Sequence, residues 1–171
     1  MDELNRKSVN EFRESEKTPV VVVLDNIRSM HNVGSVFRTA DAFLLRGIYL
    51  CGYTPQPPHR DIHKTALGAT ETVDWRYFAT TAEAVRSLKE DGYAVFAIEQ
   101  TVGSVPLQEF SAGFSGPLAV VLGNEVDGVG EEALGLCDGS VEIPQWGMKH
   151  SLNISIAAGI VLWELVRARF K

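Results

Sequence analysis

Asn32 and Arg38 stand six residues apart in "NVGSVFRTA", and both carry side chains rich in hydrogen-bonding groups. The amide offers donors and an acceptor, and the guanidinium presents a planar fork of donors suited to phosphate. Glu125 stands in the turn "GNEVDGVG", between Gly123 and Gly128, where its carboxylate can accept backbone N–H groups at the start of the next helix. A third stretch, "VEIPQWGMKHSLNISIAAGIVLWEL" (Val141 to Leu165), is an apolar run opened by Gly147, Lys149, His150, Ser151, Asn153 and Ser155. Hydrogen-bonding capacity therefore gathers at the mouth of an element that should be buried. Each residue also has a plain structural use: Asn32 or Ser151 as a helix cap, and Arg38 as a surface ion-pair partner.

Other chemistries find no support. His59 and His63 in "HRDIH" are four apart, but no third ligand is evident and the prolines before them disfavour a helix at His59, so no metal is expected. "GNEVDGVG" lacks the Gly-Lys-Ser/Thr of a triphosphate-binding loop, no G-x-G-x-x-G follows the first strand, and Ser104, Ser111 and Ser151 stand in no Gly-x-Ser-x-Gly elbow. Trp75, Trp146 and Trp163 read as core or interface residues, with Trp146 placed to border whatever the third stretch binds.

The elements that must position these residues alternate between strand and helix. "TPVVVVLDN" reads as a strand buried on both faces, followed by a helix over "NVGSVFRTADAFLL" with Val33, Val36, Phe37, Ala40 and Leu44 inward. Further strands are "GIYLCG", "YAVFAIE", "PLAVVLG" and "SVEIP". Further helices are "DIHKTALGA", ended by Gly68, "TTAEAVRSLKEDG", capped by Thr80 or Thr81 and stopped by Gly92, and "EEALGLCD". The last runs from about Ser151 to Phe170, its inner face being Ile154, Ala157, Ala158, Val161, Leu162 and Leu165. "YTPQPPHR" and "QTVGSVPLQEFSAGFSG" read as loops. This alternation predicts an α/β domain with a mostly parallel sheet covered by helices on both faces, and ligands then bind beyond the carboxyl ends of the strands, where all three polar stretches lie.

The chain has 171 residues and 45% hydrophobic content, enough for one compact domain. We read residues 1–18 as a short charged segment and 19–171 as that domain. No stretch approaches the roughly 18 apolar residues of a membrane span and no signal peptide is evident, so a cytoplasmic protein is expected. Cys51 and Cys137 fit free thiols. A formal charge of −6 and a pI near 5.2 argue against bulk electrostatic capture of nucleic acid. Any RNA site must be a local patch, for which the candidates are Arg6, Lys7 and Arg13, then Arg60 and Lys64, then Arg167, Arg169 and Lys171.

The three polar stretches, in order and content, resemble the three motifs of the SpoU (TrmH) family of RNA ribose 2′-O-methyltransferases in the SPOUT superfamily. Asn32, Arg38, Thr39 and Ala40 match the first, Gly123 and Glu125 the second, and Ile143, Pro144, Gly147, Ser151, Leu152 and Asn153 the third. One such motif is common; three in the right order are specific. The resemblance implies a Rossmann-like domain with a C-terminal deep trefoil knot, S-adenosylmethionine as cofactor, an RNA substrate, and a homodimer whose active site is completed across the interface.

It further implies that Arg38 activates the ribose oxygen, as general base or as an orienting group, with Asn32, Glu125, Ser151 and Asn153 beside it. Gly123, Ile143 and Leu152 would hold the cofactor, with Leu122, Asn124, Pro144 and Ser151 bordering the slot. Arg60 and Lys64 would meet RNA phosphate, and the surrounding segment leans toward transfer RNA over ribosomal RNA. The alternative is a noncatalytic RNA-binding or assembly protein that keeps the fold.

Overall fold

The computed structural model describes residues 7–113, 115–149, 151–167 and 169. Arg6, His150, Phe170 and Lys171, named above, lie outside the described residues.

Seven parallel strands form one sheet. The β-branched run gives β1 (Thr18–Asp25), buried from Val20 onward on both faces and placed centrally between β2 (Leu45–Cys51) and β6 (Leu118–Gly123). The chain steps outward from β1 through β2 to β3 (Trp75–Phe78), then crosses to β4 (Ala94–Ile98) and the edge strand β5 (Val105–Pro106). It returns to insert β6 between β1 and β4 and ends with β7 (Gly139–Glu142), giving the order β3-β2-β1-β6-β4-β7-β5. Side chains alternate between two cores. Val20, Val22 and Leu24 face α1 (Val9–Glu14), α2 (Met30–Ala42), α3 (Arg60–Ala66), α4 (Ala69–Thr72), α6 (Leu107–Gly113) and α8 (Ile154–Arg167). Val21 and Val23 face α5 (Thr81–Glu90) and α7 (Glu131–Leu136).

Several expectations are corrected. The cap of α2 is Ser29, whose hydroxyl accepts from the backbone N–H of Asn32, so Asn32 lies inside the first turn and its side chain is released from capping. That helix ends at Ala42, and Leu44, expected on its inner face, sits in a left-handed turn at φ 52° that feeds Leu45 into β2. The helix α3 stops at Leu67 rather than Gly68, which instead begins α4. Ser151 does not cap α8: the helix starts at Ile154, and Asn153 Oδ1 accepts from Ser155 N at 2.9 Å. Its buried face is as expected, with Val166 added and Ala157 only half-buried. Thr80 caps α5, with Glu83 returning the bond to Thr80 N. Of five further short elements, α1 falls in the expected charged segment, α6 and β5 in an expected loop, and α4 and β3 in the stretch between two expected helices to which no element was assigned.

Candidate active site

Beyond the carboxyl ends of β4, β6 and β7 opens a cavity of about 450 Å³, within the ordinary size range of small-molecule sites. Ile98 and Leu122 floor it at the strand ends, the loop Gly123–Val129 forms one wall, and Ile143, Ser151, Leu152, Ile154 and Ala157 form another. The second and third polar stretches therefore face each other across one space. Seven of the predicted site residues line it: Leu122, Gly123, Asn124, Glu125, Ile143, Ser151 and Leu152. Pro144 is half-buried beside Ile143 and is not among the lining residues. Trp146 is 93% exposed and also lies off the lining, which corrects its expected place at the border.

The Gly123–Val129 wall is a tight turn locked by its own polar groups. Asn124 Oδ1 accepts from the backbone N–H groups of Val126 (2.9 Å) and Asp127 (2.8 Å), and Gly128 N donates to Asn124 O at 3.0 Å. Glu99, at the end of β4, accepts from Val129 N at 3.2 Å, and Gly130 N donates at 2.7 Å to Asp25 at the end of β1. Glu99 and Glu142 thus put two half-buried carboxylates on the cavity, the second accepting from the Ser104 hydroxyl at 2.7 Å.

The first stretch joins by side-chain contacts. Asn32 Nδ2 donates to Glu125 Oε1 at 2.9 Å, and Asn153 Nδ2 donates to Asn32 Oδ1 at 3.4 Å. Residues 93 and 121 positions apart in the chain are tied into one polar chain, Asn153 to Asn32 to Glu125, at the cavity's rim. Arg38 is exposed on α2, off the cavity lining, and forms no ion pair or hydrogen bond among the described residues, so the surface ion pair is not what holds it.

The helix α3 that carries Arg60 and Lys64 is seated against the start of α2, since a Cβ on Gly34 would lie 2.3 Å from Ile62 O. Arg60 is exposed without a described partner, whereas Lys64 bonds Asp61 at 2.7 Å. The other basic candidates are engaged within the chain: Lys7 with Ser15, Arg13 with Glu71 O, Arg167 with Glu164, and Arg169 with Gly116 O.

Sequence reasoning missed Glu99, Glu142, Asp25 and Thr81. Asp25 is buried at 2% exposure, accepts from the Thr81 hydroxyl, Asn26 Nδ2 and Gly130 N, and so braces the cavity wall from β1. An acidic residue ending a buried β-branched run was the available signal. Among the described residues no cluster of three His, Cys, Asp or Glu could hold a metal ion; His59 caps α3, its Nδ1 accepting from Asp61 N. No described helix is long and apolar enough to cross a membrane.

Comparison with known proteins identifies the family. The model of the SpoU rRNA methylase family matches residues 19–163. The chain belongs to the SpoU family. Its members are RNA 2′-O-methyltransferases that draw their methyl group from S-adenosylmethionine, which places this chain among SAM-dependent RNA-methylating enzymes. The 23S rRNA (guanosine-2′-O-)-methyltransferase RlmB of Vibrio parahaemolyticus is 34% identical over 98% of this chain, which spans 66% of that protein. The tRNA (guanosine(18)-2′-O)-methyltransferase of Thermus thermophilus is also 34% identical, over 99% of this chain and 85% of its own. Among solved structures, the A. aeolicus TrmH/SpoU tRNA modifying enzyme superposes with a TM-score of 0.84 at 27% identity, covering 95% of this chain and 81% of its own. The AdoMet-bound rRNA methyltransferase of Sinorhizobium meliloti superposes with a TM-score of 0.81 at 31% identity, covering 91% and 59%.

The cavity's donor set suits the family's cofactor. Leu122, Ile143, Leu152 and Ala157 offer apolar surface for a flat base, while the Glu99 and Glu142 carboxylates suit hydroxyl and ammonium groups and a cationic sulfonium.

Proposed function

We propose that this SpoU member methylates a ribose 2′-hydroxyl in a structured RNA, transfer RNA in preference to ribosomal RNA, as a cytoplasmic homodimer. The polar chain Asn153–Asn32–Glu125, closing one rim of the cavity from three separate segments, carries this reading. When bound, S-adenosylmethionine supplies a methyl group on a sulfonium, an electrophile needing an oxygen nucleophile in line with it.

Each residue then has a role. Gly123, Ile143 and Leu152 hold the cofactor, bordered by Leu122, Asn124, Pro144 and Ser151. Asn32, Glu125, Asn153 and Ser151 orient the ribose, and the amides stay fixed because each already has a partner. Arg38 relieves the 2′-oxygen of its proton, or aligns it by gripping the adjoining phosphate. Its lack of a described protein partner leaves all five N–H donors for RNA. Arg60 and Lys64 extend the phosphate track along α3.

The lean toward transfer RNA rests on the segment that carries Arg60 and Lys64; the relatives include a transfer-RNA and a ribosomal-RNA enzyme at equal identity, 34% each. The knot is expected from the family's fold; the Gly123–Val129 loop and Ile143, Ser151 and Leu152, from the two segments that would form it, face each other across the cavity. The homodimer is supported by the apolar stripe that α8 turns to solvent.

The test is methyl transfer from labelled S-adenosylmethionine to bulk transfer RNA and, separately, ribosomal RNA. Incorporation into a ribose of transfer RNA is expected; none into either would point to the noncatalytic alternative. Arg38→Ala should lower the rate at least a hundredfold, within the usual range for acid–base catalysis, while cofactor affinity holds. Full activity of Arg38→Ala would remove Arg38 from the chemistry.

A further inference from the structure

Beside the cavity's rim, at the carboxyl edge of the sheet, the loops after β1 and β2 are locked together. The buried Thr54 hydroxyl accepts from Ile27 N at 3.0 Å and donates to Cys51 O at 2.7 Å. Asn26, in a left-handed conformation at φ 53°, accepts from Tyr53 N at 3.1 Å, and Gly52 N donates to Phe78 O at 3.1 Å. On this fixed backbone Tyr53 is 56% exposed, and the exposed Arg28 places its guanidinium carbon 5.7 Å from the ring's centroid, within cation–π range. Arg28 interacts chiefly with Tyr53 and only weakly with the charge of Asp127, which lines the cavity, and it immediately precedes the cap of the helix that carries Asn32.

An exposed aromatic ring on a pinned loop does nothing for the core. Its exposed surface, with a cation against it, matches a flat π-system on an anionic backbone. Ordering costs on binding are small because the loop is already held by its own hydrogen bonds. The geometry points to Tyr53 and Arg28 as a stacking shelf for an unpaired base of the RNA, flanking the nucleotide whose ribose enters the site. Tyr53 stacks on that base and Arg28 contributes cation–π attraction and a phosphate contact. The shelf rests on the RNA-methylating reading above and assigns to it a positioning element outside all three motifs.

The experiment compares Tyr53→Ala, Tyr53→Leu, Tyr53→Trp and Arg28→Gln with the wild type. Filter binding on bulk transfer RNA gives Kd, methyl-transfer assays give KM and kcat, and calorimetry gives the affinity for S-adenosylmethionine. Tyr53→Ala and Tyr53→Leu should raise the RNA Kd and KM about tenfold or more, as loss of one stacked base does. Tyr53→Trp should restore both, Arg28→Gln should fall between, and cofactor affinity should stay within twofold throughout. RNA Kd and KM within twofold of wild type for Tyr53→Ala, or equal losses for Tyr53→Leu and Tyr53→Trp, would overturn the shelf. Because Kd is read without turnover, this result stands apart from whether the wild type transfers methyl at all.

Discussion

A Cβ added to Gly123 would lie 2.1 Å from the carbonyl carbon of Gly128 and 2.3 Å from Val129 N, so main chain meets main chain and neither side has a rotamer to yield. By contrast a Cβ on Gly147, in the third motif, meets nothing within 4 Å. The sequence offers both as motif glycines, and only their surroundings separate them. Gly123→Ala should therefore pry the turn from β6, destabilise the fold by about 1–3 kcal/mol and weaken S-adenosylmethionine at least tenfold by calorimetry. Gly147→Ala should leave both within error. The two thiols, legible as free, carry a pH consequence that only burial gives. Desolvation pushes Cys51 up to about 12 and Cys137 up to about 11. A thiol whose folded value exceeds its unfolded value near 8.5 favours the fold fully below that pH and loses the benefit as pH rises toward the folded value. Chemical denaturation at stepped pH should show stability falling between about pH 9 and 12, Cys51 contributing up to about 1.4 kcal/mol per unit. A flat profile there would contradict its burial.

At the scale of elements, the long strands and the amphipathic helices were legible because their cause is local: an unbroken β-branched run for β1, and a capping box with inward Ala82, Val85 and Leu88 for α5. β3 and β5 were not, because edge strands of four and two residues bury little and draw their pairing from β2 and β7. The site divides in the same way. Its motif residues could be read, whereas Glu99 and Asp25 owe their place to partners 30 and 105 residues away. Asp25 binds three elements at once, joining the end of β1 to Thr81 in the first turn of α5 and to Gly130 at the start of α7. Removing its carboxylate would leave the buried Thr81 hydroxyl and the Gly130 N–H without their acceptor, at a cost of about 1–3 kcal/mol per group. Asp25→Ala should thus lose about 3 kcal/mol, lowering Tm by about 6–12 °C for a chain of this size, and should loosen the cavity wall enough to weaken the cofactor. Thermal melts with and without S-adenosylmethionine would show it as a smaller ligand-induced shift in Tm.

For the whole molecule, α8 raises the question of what its outer face is for. Its inner face is buried against α2 and β6, yet Ile156, Ile160 and Trp163, at helical spacing on the other side, are 56%, 40% and 54% exposed. Trp163 extends the patch to Phe43, their ring centroids 6.0 Å apart. Isolated surface apolar groups are ordinary, whereas a contiguous stripe centred on a tryptophan has the make-up of an interface centre. The stripe begins three residues beyond Asn153, so a second copy docked on it would stand over the active-site rim and complete it, as Arg38, without a partner among the described residues, invites. Ile156→Asp with Ile160→Asp sets this dimer against the monomer fold, because both side chains point away from the core. Sedimentation equilibrium should show the wild type as a dimer at micromolar concentration and the double variant as a monomer. The variant's circular dichroism should be unchanged and its methyl transfer to transfer RNA lowered at least tenfold. A monomeric wild type would remove the dimer. A monomeric variant with full activity would instead show that one chain supplies every residue the reaction uses, leaving the stripe with no part in catalysis.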